Sequence, residues 1–401
     1  MPAATPLPPG PAVLTLYSAA DLLTGPGCPV CRYADEAASR YLAWFALEGH
    51  GDATAVTRLC ASLGMCPRHT RGLMSQPGAA RRLTALYRYL VRAALDRLAG
   101  RAARLAGCPG CEHDDGAAGR ALETLLEGLA DGPVLDRCRE LGGLCIPHVR
   151  AASARGDQRV IAWLAQTMTA AITVGPAGSG PGWLAGTDHD ADARLALREA
   201  LPAGALPGSG VCAACLDAGR AEQAQLARLA GSSDRGPDRR LLLCHGHLGD
   251  LVAAARGPGV APLLAWQAEC LTAALTRPAS FRRRRGIRPA DCPVCLASED
   301  AAQRAVDDLR GRLRGAPTAP GFPLCVRHLL RLKAADPRAA QVIAPDAIER
   351  GGQLAAELDA AFSKGTWAHR HEAKGPEMTA WRRAAAFLDG GVFCGSPPRG
   401  N

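Results

Sequence analysis

Lysine is nearly missing from this chain. Lys333, Lys364 and Lys374 are the only lysines among 47 basic residues, and all the rest are arginine. With the excess of Ala, Gly and Pro, this reads as GC-biased codon usage, so the formal charge of +9 supports solubility and weak anion attraction but marks no site. Aromatic residues are equally scarce, at 4% of 401 positions. A core built mostly from Ala and Leu suits helix-on-helix packing better than a β-sandwich, whose strands want β-branched and aromatic side chains. Alternating β-branched runs are missing too. No segment reaches 18 apolar residues, which excludes a membrane-spanning helix. The Pro-rich start, MPAATPLPPGPAVLTLYSAADLL, lacks the charged leader and small-residue cleavage site of a secretory signal. It is expected to form a flexible tail over residues 1–24 of a cytoplasmic protein.

Catalytic signatures are also wanting. There is no HExxH, no Walker loop and no GxSxG. No HxE is joined to a PCxxC, as zinc deaminases require. CPVC resembles a thioredoxin-type pair, but no βαβ pattern surrounds it. The expectation leans away from an enzyme.

Cysteine, in contrast, is abundant and ordered. Sixteen cysteines in a reducing compartment argue for metal ligation over disulfides. Four CxxC pairs occur, at Cys28/Cys31, Cys108/Cys111, Cys212/Cys215 and Cys292/Cys295. They alternate strictly with four CxxH pairs, at Cys66/His69, Cys145/His148, Cys244/His247 and Cys325/His328. From one CxxC to the next the steps are 80, 104 and 80 residues, so a two-unit half is repeated 184 residues on. Random order at this composition would give about 0.6 CxxC and about 0.4 CxxH, too few for chance to explain four of each.

The gaps read as helices. After the first CxxC, Tyr33, Ala37, Tyr41, Trp44 and Phe45 fall on one side of an amphipathic helix. After the fourth, Ala302, Val306, Leu309 and Leu313 do the same. After the first CxxH, Leu83, Leu86, Tyr87, Leu90, Val91, Leu95 and Leu98 form a stripe flanked by Arg88, Arg92, Arg97, Arg101 and Arg104. The fold class is therefore all-α, with tandem helical repeats in two duplicated halves. The first half is expected over 25–174 with metal units 1 and 2. A Gly/Pro/Ser-rich linker follows over 175–208, and then a second half over 209–401 with units 3 and 4 and a C-terminal helix.

Thiolate and imidazole are the commonest protein donors to zinc, which takes four in a tetrahedron. Between each CxxC and the CxxH that follows lie 34, 33, 28 and 29 residues. A helix of about 17 residues is about 25 Å long, so the remainder must double back. On this reading each metal staples the open end of one helical hairpin, giving four zinc-stapled hairpins and about four zinc ions per chain. The expected ligand sets are Cys28, Cys31, Cys66, His69; Cys108, Cys111, Cys145, His148; Cys212, Cys215, Cys244, His247; and Cys292, Cys295, Cys325, His328. Three thiolates and one imidazole close the sphere, leaving no position for water. Iron–sulfur clusters are the second metal reading, and the histidine in every set favours zinc over them.

Other signals are weaker. His245 in CHGH competes with His247 as a ligand, and the repeated spacing favours His247. Cys60, Cys138, Cys270 and Cys394 fall outside the pattern and read as inert thiols. His369 and His371 are expected in solvent, and the helix in AWRRAAAFLDGG is expected to dock on the core. The cluster Arg282, Arg283, Arg284, Arg285 and Arg288 is the strongest basic patch and the place where nucleic acid would bind.

The stretch CPVCRYADEAASRYLAWFALEG…GMCPRH resembles an uncharacterised bacterial family recognised by a CPxC, a helix and then GxCxxH. The resemblance covers the repeat units, and unit 3 departs from it where CAAC lacks the proline and LLLCHGH lacks the glycine. It implies metal binding and brings no activity with it. The expected function is a non-catalytic zinc module that presents a surface to a protein partner. The alternatives are a nucleic-acid binder using arginine-rich helices, and an enzyme or redox protein with metal centres.

Overall fold

The structure, a computed structural model, describes residues 13–76, 79–101, 105–155, 158–174, 181–186, 212–231, 242–255, 259–275, 292–315, 324–369 and 371–389. Among them are sixteen α-helices and no strand. The all-α expectation holds. In chain order the helices are α1 Val13–Leu22, α2 Pro29–Leu47, α3 Ala53–Ser62, α4 Pro67–Met74, α5 Ala79–Leu98, α6 Pro109–Gly128, α7 Gly132–Glu140 and α8 Ile146–Ala152. There follow α9 Gln158–Val174, α10 Ala213–Gly231, α11 His245–Ala255, α12 Val260–Leu275, α13 Pro293–Gly315, α14 Val326–Ala335, α15 Pro337–Lys364 and α16 Ala380–Asp389. None is long and apolar enough to cross a membrane.

The chain forms two compact units, and they are not the two sequence halves. One comprises 1–37, 114–192 and 226–295; the other comprises 38–113, 193–225 and 296–401. Each unit thus draws on both 25–174 and 209–401. Four of the five divisions fall inside α2, α6, α10 and α13, and the fifth, at 192/193, lies outside the described residues.

The first unit buries Leu122, Leu125, Leu144, Leu164 and Met168 from one half with Leu248, Leu251, Leu264 and Leu271 from the other. Within it α1 replaces part of the expected flexible tail. Ala19 and Leu23, four apart, are both buried, and Ala19 sits so close to Gly128 that a Cβ there would meet it at 2.5 Å. Burial of one small face is enough to order residues 13–22 as a helix.

The second unit is organised around α5. Its predicted stripe is buried at Leu83, Leu86, Tyr87, Leu90, Val91 and Leu98, with Leu95 half-buried. Against it packs α15, whose first turn is capped by Asp336 accepting from the Ala339 amide at 3.1 Å. Gly351 of α15 admits Leu95, since a Cβ there would lie 2.7 Å from that side chain. The C-terminal α16 docks as expected, burying Trp381, Ala384, Ala385, Phe387 and Leu388. On α13 the expected Ala302, Val306, Leu309 and Leu313 are all buried. The α2 stripe needs one correction. Ala37 and Phe45 are buried and Tyr41 is half-buried, but Trp44 is 40% exposed, and Ala38, Leu42 and Ala46 complete the core face instead.

Candidate metal centres

Every CxxC and every CxxH sits at the start of a helix, and the local reason is the same each time. The first cysteine is the residue just before the helix, and the second ligand is three positions on, one turn up. The amides of Arg32, Thr70, Glu112, Val149, Leu216, Leu248 and Leu329 donate to the carbonyls of Cys28, Cys66, Cys108, Cys145, Cys212, Cys244 and Cys325 at 2.8–3.1 Å. Cys292 directly precedes Pro293, the first residue of α13. Proline also opens α2, α4 and α6, where its missing N–H costs nothing and its fixed φ suits the first turn. Cys66, Cys145 and Cys325 share one backbone conformation, with φ of −66°, −65° and −68° and ψ of 168°, 161° and 160°. None of the three makes a side-chain capping bond, because each sulfur is turned toward the other ligands.

What precedes each CxxH fixes its approach. α3 ends on Leu63 at φ 54°, with Gly64 at φ 103° donating back to Leu59. α7 ends with Gly142 and Gly143 at φ 85° and 84°, Gly143 donating back to Cys138. This left-handed exit is why GxC precedes the first two CxxH pairs: glycine carries the backbone off the helix at no steric cost. The residue immediately before the cysteine is buried in all four, as Met65, Leu144, Leu243 and Leu324. Motif spacing does not single out that apolar anchor, although a large hydrophobic residue at one position in all four repeats is a legible signal.

All sixteen predicted ligands converge into four groups, but not the groups expected. Cys28 and Cys31 meet Cys145 and His148 (site 1). Cys66 and His69 meet Cys108 and Cys111 (site 2). Cys212 and Cys215 meet Cys325 and His328 (site 3), and Cys244 and His247 meet Cys292 and Cys295 (site 4). The pairing is nested: the first CxxC of each half joins the last CxxH, and the middle two join each other. This overturns the stapled hairpin. α2 has 19 residues, about 28 Å, and α3 only ten, about 15 Å, a mismatch that a hairpin stapled at its open end would have to make up in loop. The same shortfall separates α6, with 20 residues, from α7, with nine. Sites 1 and 4 belong to the first unit, and sites 2 and 3 to the second.

Within each group the four ligand atoms all lie within 4.8 Å of one another, so each group could hold a metal ion. Sulfur to His Nδ1 separations run from 3.1 to 3.7 Å. One sulfur pair at each site lies at 3.5 to 3.9 Å, and every ligand pair lies within 4.8 Å. Nδ1 is the imidazole atom turned inward at every site. Site 1 is the most deeply placed, with all four ligands buried. At site 2 the Cys66 amide also donates to Cys108 Sγ at 3.1 Å, the kind of outer contact that orients a thiolate.

Each group lies where the starts of two helices face one another: α2 with α8, α4 with α6, α10 with α14, α11 with α13. Two positive dipole ends brought together repel unless negative charge lies between them. Thiolates supply it. Without a cation, however, the groups cannot all be in ligand form. Hydrogen bonds from the neighbouring thiols Cys111, Cys215 and Cys244 hold Cys108, Cys212 and Cys292 far below the ordinary thiol range. At Cys28 burial opposes ionisation, but bonds from Cys145 and Cys31 prevail and it too is held low. The proton holders are driven upward: Cys111 and Cys215 by their bonds to Cys108 and Cys212, Cys295 by its bond to Cys244, and Cys145 by burial. Burial disfavours imidazolium at His148 and His247, yet the thiolates around them push both up to about 10. A divalent cation would have to displace these protons, so metal binding would release protons and weaken as the pH falls.

The remaining candidates do not join these sites. His245 is not a ligand; its ring meets that of His148 edge-on at 5.9 Å and lies over Gly186, at φ 93°, where any side chain would collide with it. Cys138 and Cys270 are buried, and burial pushes the Cys138 thiol up to about 12. Cys60 is half-buried, with its thiol raised by the same cause. His369 and His371 are exposed, and His369 pairs with Glu372 at 2.5 Å. Arg282, Arg283, Arg284, Arg285, Arg288, Arg104 and Cys394 lie outside the described residues. Comparison with protein-family models, with curated proteins and with solved structures gave no match to the chain.

Proposed function

We propose that this is a non-catalytic zinc protein in which four closed Cys3His sites hold a helical scaffold that serves as a macromolecular interaction module. The observation that carries the reading is the convergence of all sixteen motif ligands into four sets of three sulfurs and one nitrogen. With Zn–S of about 2.3 Å and Zn–N of about 2.0 Å, a tetrahedron has edges of about 3.8 Å between sulfurs and about 3.6 Å from sulfur to nitrogen. The twelve sulfur to Nδ1 separations and one sulfur pair at each site lie near those values, and no ligand pair exceeds 4.8 Å. A multi-iron cluster distributes its ligands over separate irons and spreads them farther apart, which favours a single ion at each site. With four protein donors there is no open position for water or substrate, so such an ion contributes folding energy rather than a reaction.

A protein partner is favoured over nucleic acid. Arg88 and Arg92 of α5 both engage Asp359, Arg97 donates to the Ala61 carbonyl at 3.0 Å, and Arg101 pairs with Asp96 at 2.7 Å. That stripe is largely committed to the protein itself. Exposed Leu14 and Tyr17 on α1 are the kind of apolar surface a protein partner covers.

Elemental analysis of purified protein tests the reading. The expected result is close to four zinc per chain in a colourless preparation. Iron with absorbance near 400 nm, or a metal content near zero, would overturn it.

A second prediction concerns Gly110, inside CPGC. Sites 1, 3 and 4 carry Val30, Ala214 and Val294 at that position, all fully buried. At site 2 the His69 ring occupies the space, and a Cβ on residue 110 would stand 2.6 Å from its Cγ. Gly110→Val should displace His69 and lower the zinc count by one, whereas Ala214→Val should leave site 3 filled. Equal counts in both variants would show that the glycine is not required.

A further inference from the structure

The second unit carries a cleft whose chemistry the metal sites do not use. It encloses about 570 Å³ between the end of α2, the first turns of α5 and the end of α15. That volume falls within the range of small-molecule sites, about 300–1,000 Å³. Helical spacing lays Arg81, Ala85, Arg88 and Tyr89 along one face of α5, with Arg82 beside them, and all five line the cleft. Arg88 is held in place: its Nε donates to Asp359 at 2.6 Å and its guanidinium lies 4.3 Å from the centre of the Phe362 ring. Arg92 takes the same carboxylate at 2.8 Å, so one acid serves two guanidiniums and the wall stays positive. Arg81 is exposed and makes no ion pair among the described residues.

His50, on the turn Gly49–Gly51 that follows α2, also lines the cleft. One further feature points to a ligand. Beside the charge, Leu47 is 59% and Tyr89 47% exposed, so large apolar surfaces at the same cleft are left in water. Guanidiniums bind phosphate through paired N–H groups, and an aromatic face takes a flat ring.

We propose that this cleft binds a nucleoside monophosphate, its phosphate on Arg81 and Arg82 and its base against Tyr89 and Leu47. The site does not depend on which metal the Cys3His groups hold.

Titration calorimetry of the full chain with AMP tests it, with adenosine and inorganic phosphate as comparison probes. AMP should bind at micromolar concentration, with each comparison probe at least tenfold weaker. Arg81→Ala with Arg82→Ala should weaken AMP at least tenfold at an unchanged metal count. Should that variant fail to fold, NMR of the unaltered protein decides: AMP should shift the His50 ring and the Arg81 and Arg82 side-chain signals. No heat with AMP up to millimolar concentration, equal binding of adenosine, undiminished binding by the folded double variant, or shifts elsewhere would each overturn the proposal.

Discussion

Stripping the metal with a strong chelator should unfold both units, with loss of most of the far-UV helical signal and of any cooperative thermal transition. The expectation follows from what each site joins. Site 1 ties Cys31 to Cys145 across 114 positions, and inside that span site 2 ties Cys66 to Cys111 across 45. Several of the helices that start at the sites are short. α4 has eight residues and α8 seven, well below the length at which a helix persists on its own in water. Structural zinc contributes roughly 10–16 kcal/mol at neutral pH, while a whole domain is stable by only about 5–15 kcal/mol. Each unit holds two sites, so neither has the margin to survive their loss. Removal also leaves opposed helix starts with too little negative charge between them, since the thiols of Cys111, Cys215, Cys295 and Cys145 take up protons. Acid should act in the same direction as the chelator, because the bound form needs the ligands deprotonated. Circular dichroism and calorimetry of metal-free protein check this. A chelated sample that keeps its helicity and melting temperature would show that the cores alone suffice.

How much of this was legible beforehand divides along a physical line. Period and composition are local, so the helices, the α5 and α13 stripes and every ligand could be read from the chain. Leu83, Leu90, Val306 and Leu309 announce their burial by spacing alone. Pairing is not local. CxxC and CxxH look alike in every repeat, and proximity in sequence favours the hairpin. The signal that distinguishes the nested arrangement was nevertheless present: the uninterrupted helix that begins at Pro29 is nearly twice as long as the segment from Ala53 to Ser62 that would have to bring the chain back. That mismatch weighs against the hairpin, and the ligand grouping overturns it. The ordering of residues 13–22 was hidden for a different reason. It depends on Ala19 finding Gly128, more than a hundred positions away, and no window of local sequence contains that contact.

Paired ligand substitutions should separate the nested arrangement from the sequential one by counting metal. Cys28→Ser and His148→Ser each remove a ligand from site 1, so each should lower the count from four to three. The double variant should stay at three, because the second change strikes a site that is already lost. Cys28→Ser with Cys66→Ser strikes sites 1 and 2, one in each unit, and should fall to two. Stabilities should follow the same logic. Losing a structural metal belongs among the largest single-site effects, about 4 kcal/mol or more. For Cys28 with His148 the second substitution should add little to the first, a strongly non-additive cycle. For Cys28 with Cys66 the two effects should sum, as they do for sites without shared partners. The sequential pairing makes the opposite forecast for both pairs: Cys28 and Cys66 would then share an ion and behave as one, while Cys28 and His148 would be independent. Four proteins and one metal assay therefore decide which ends of the helices are tied together.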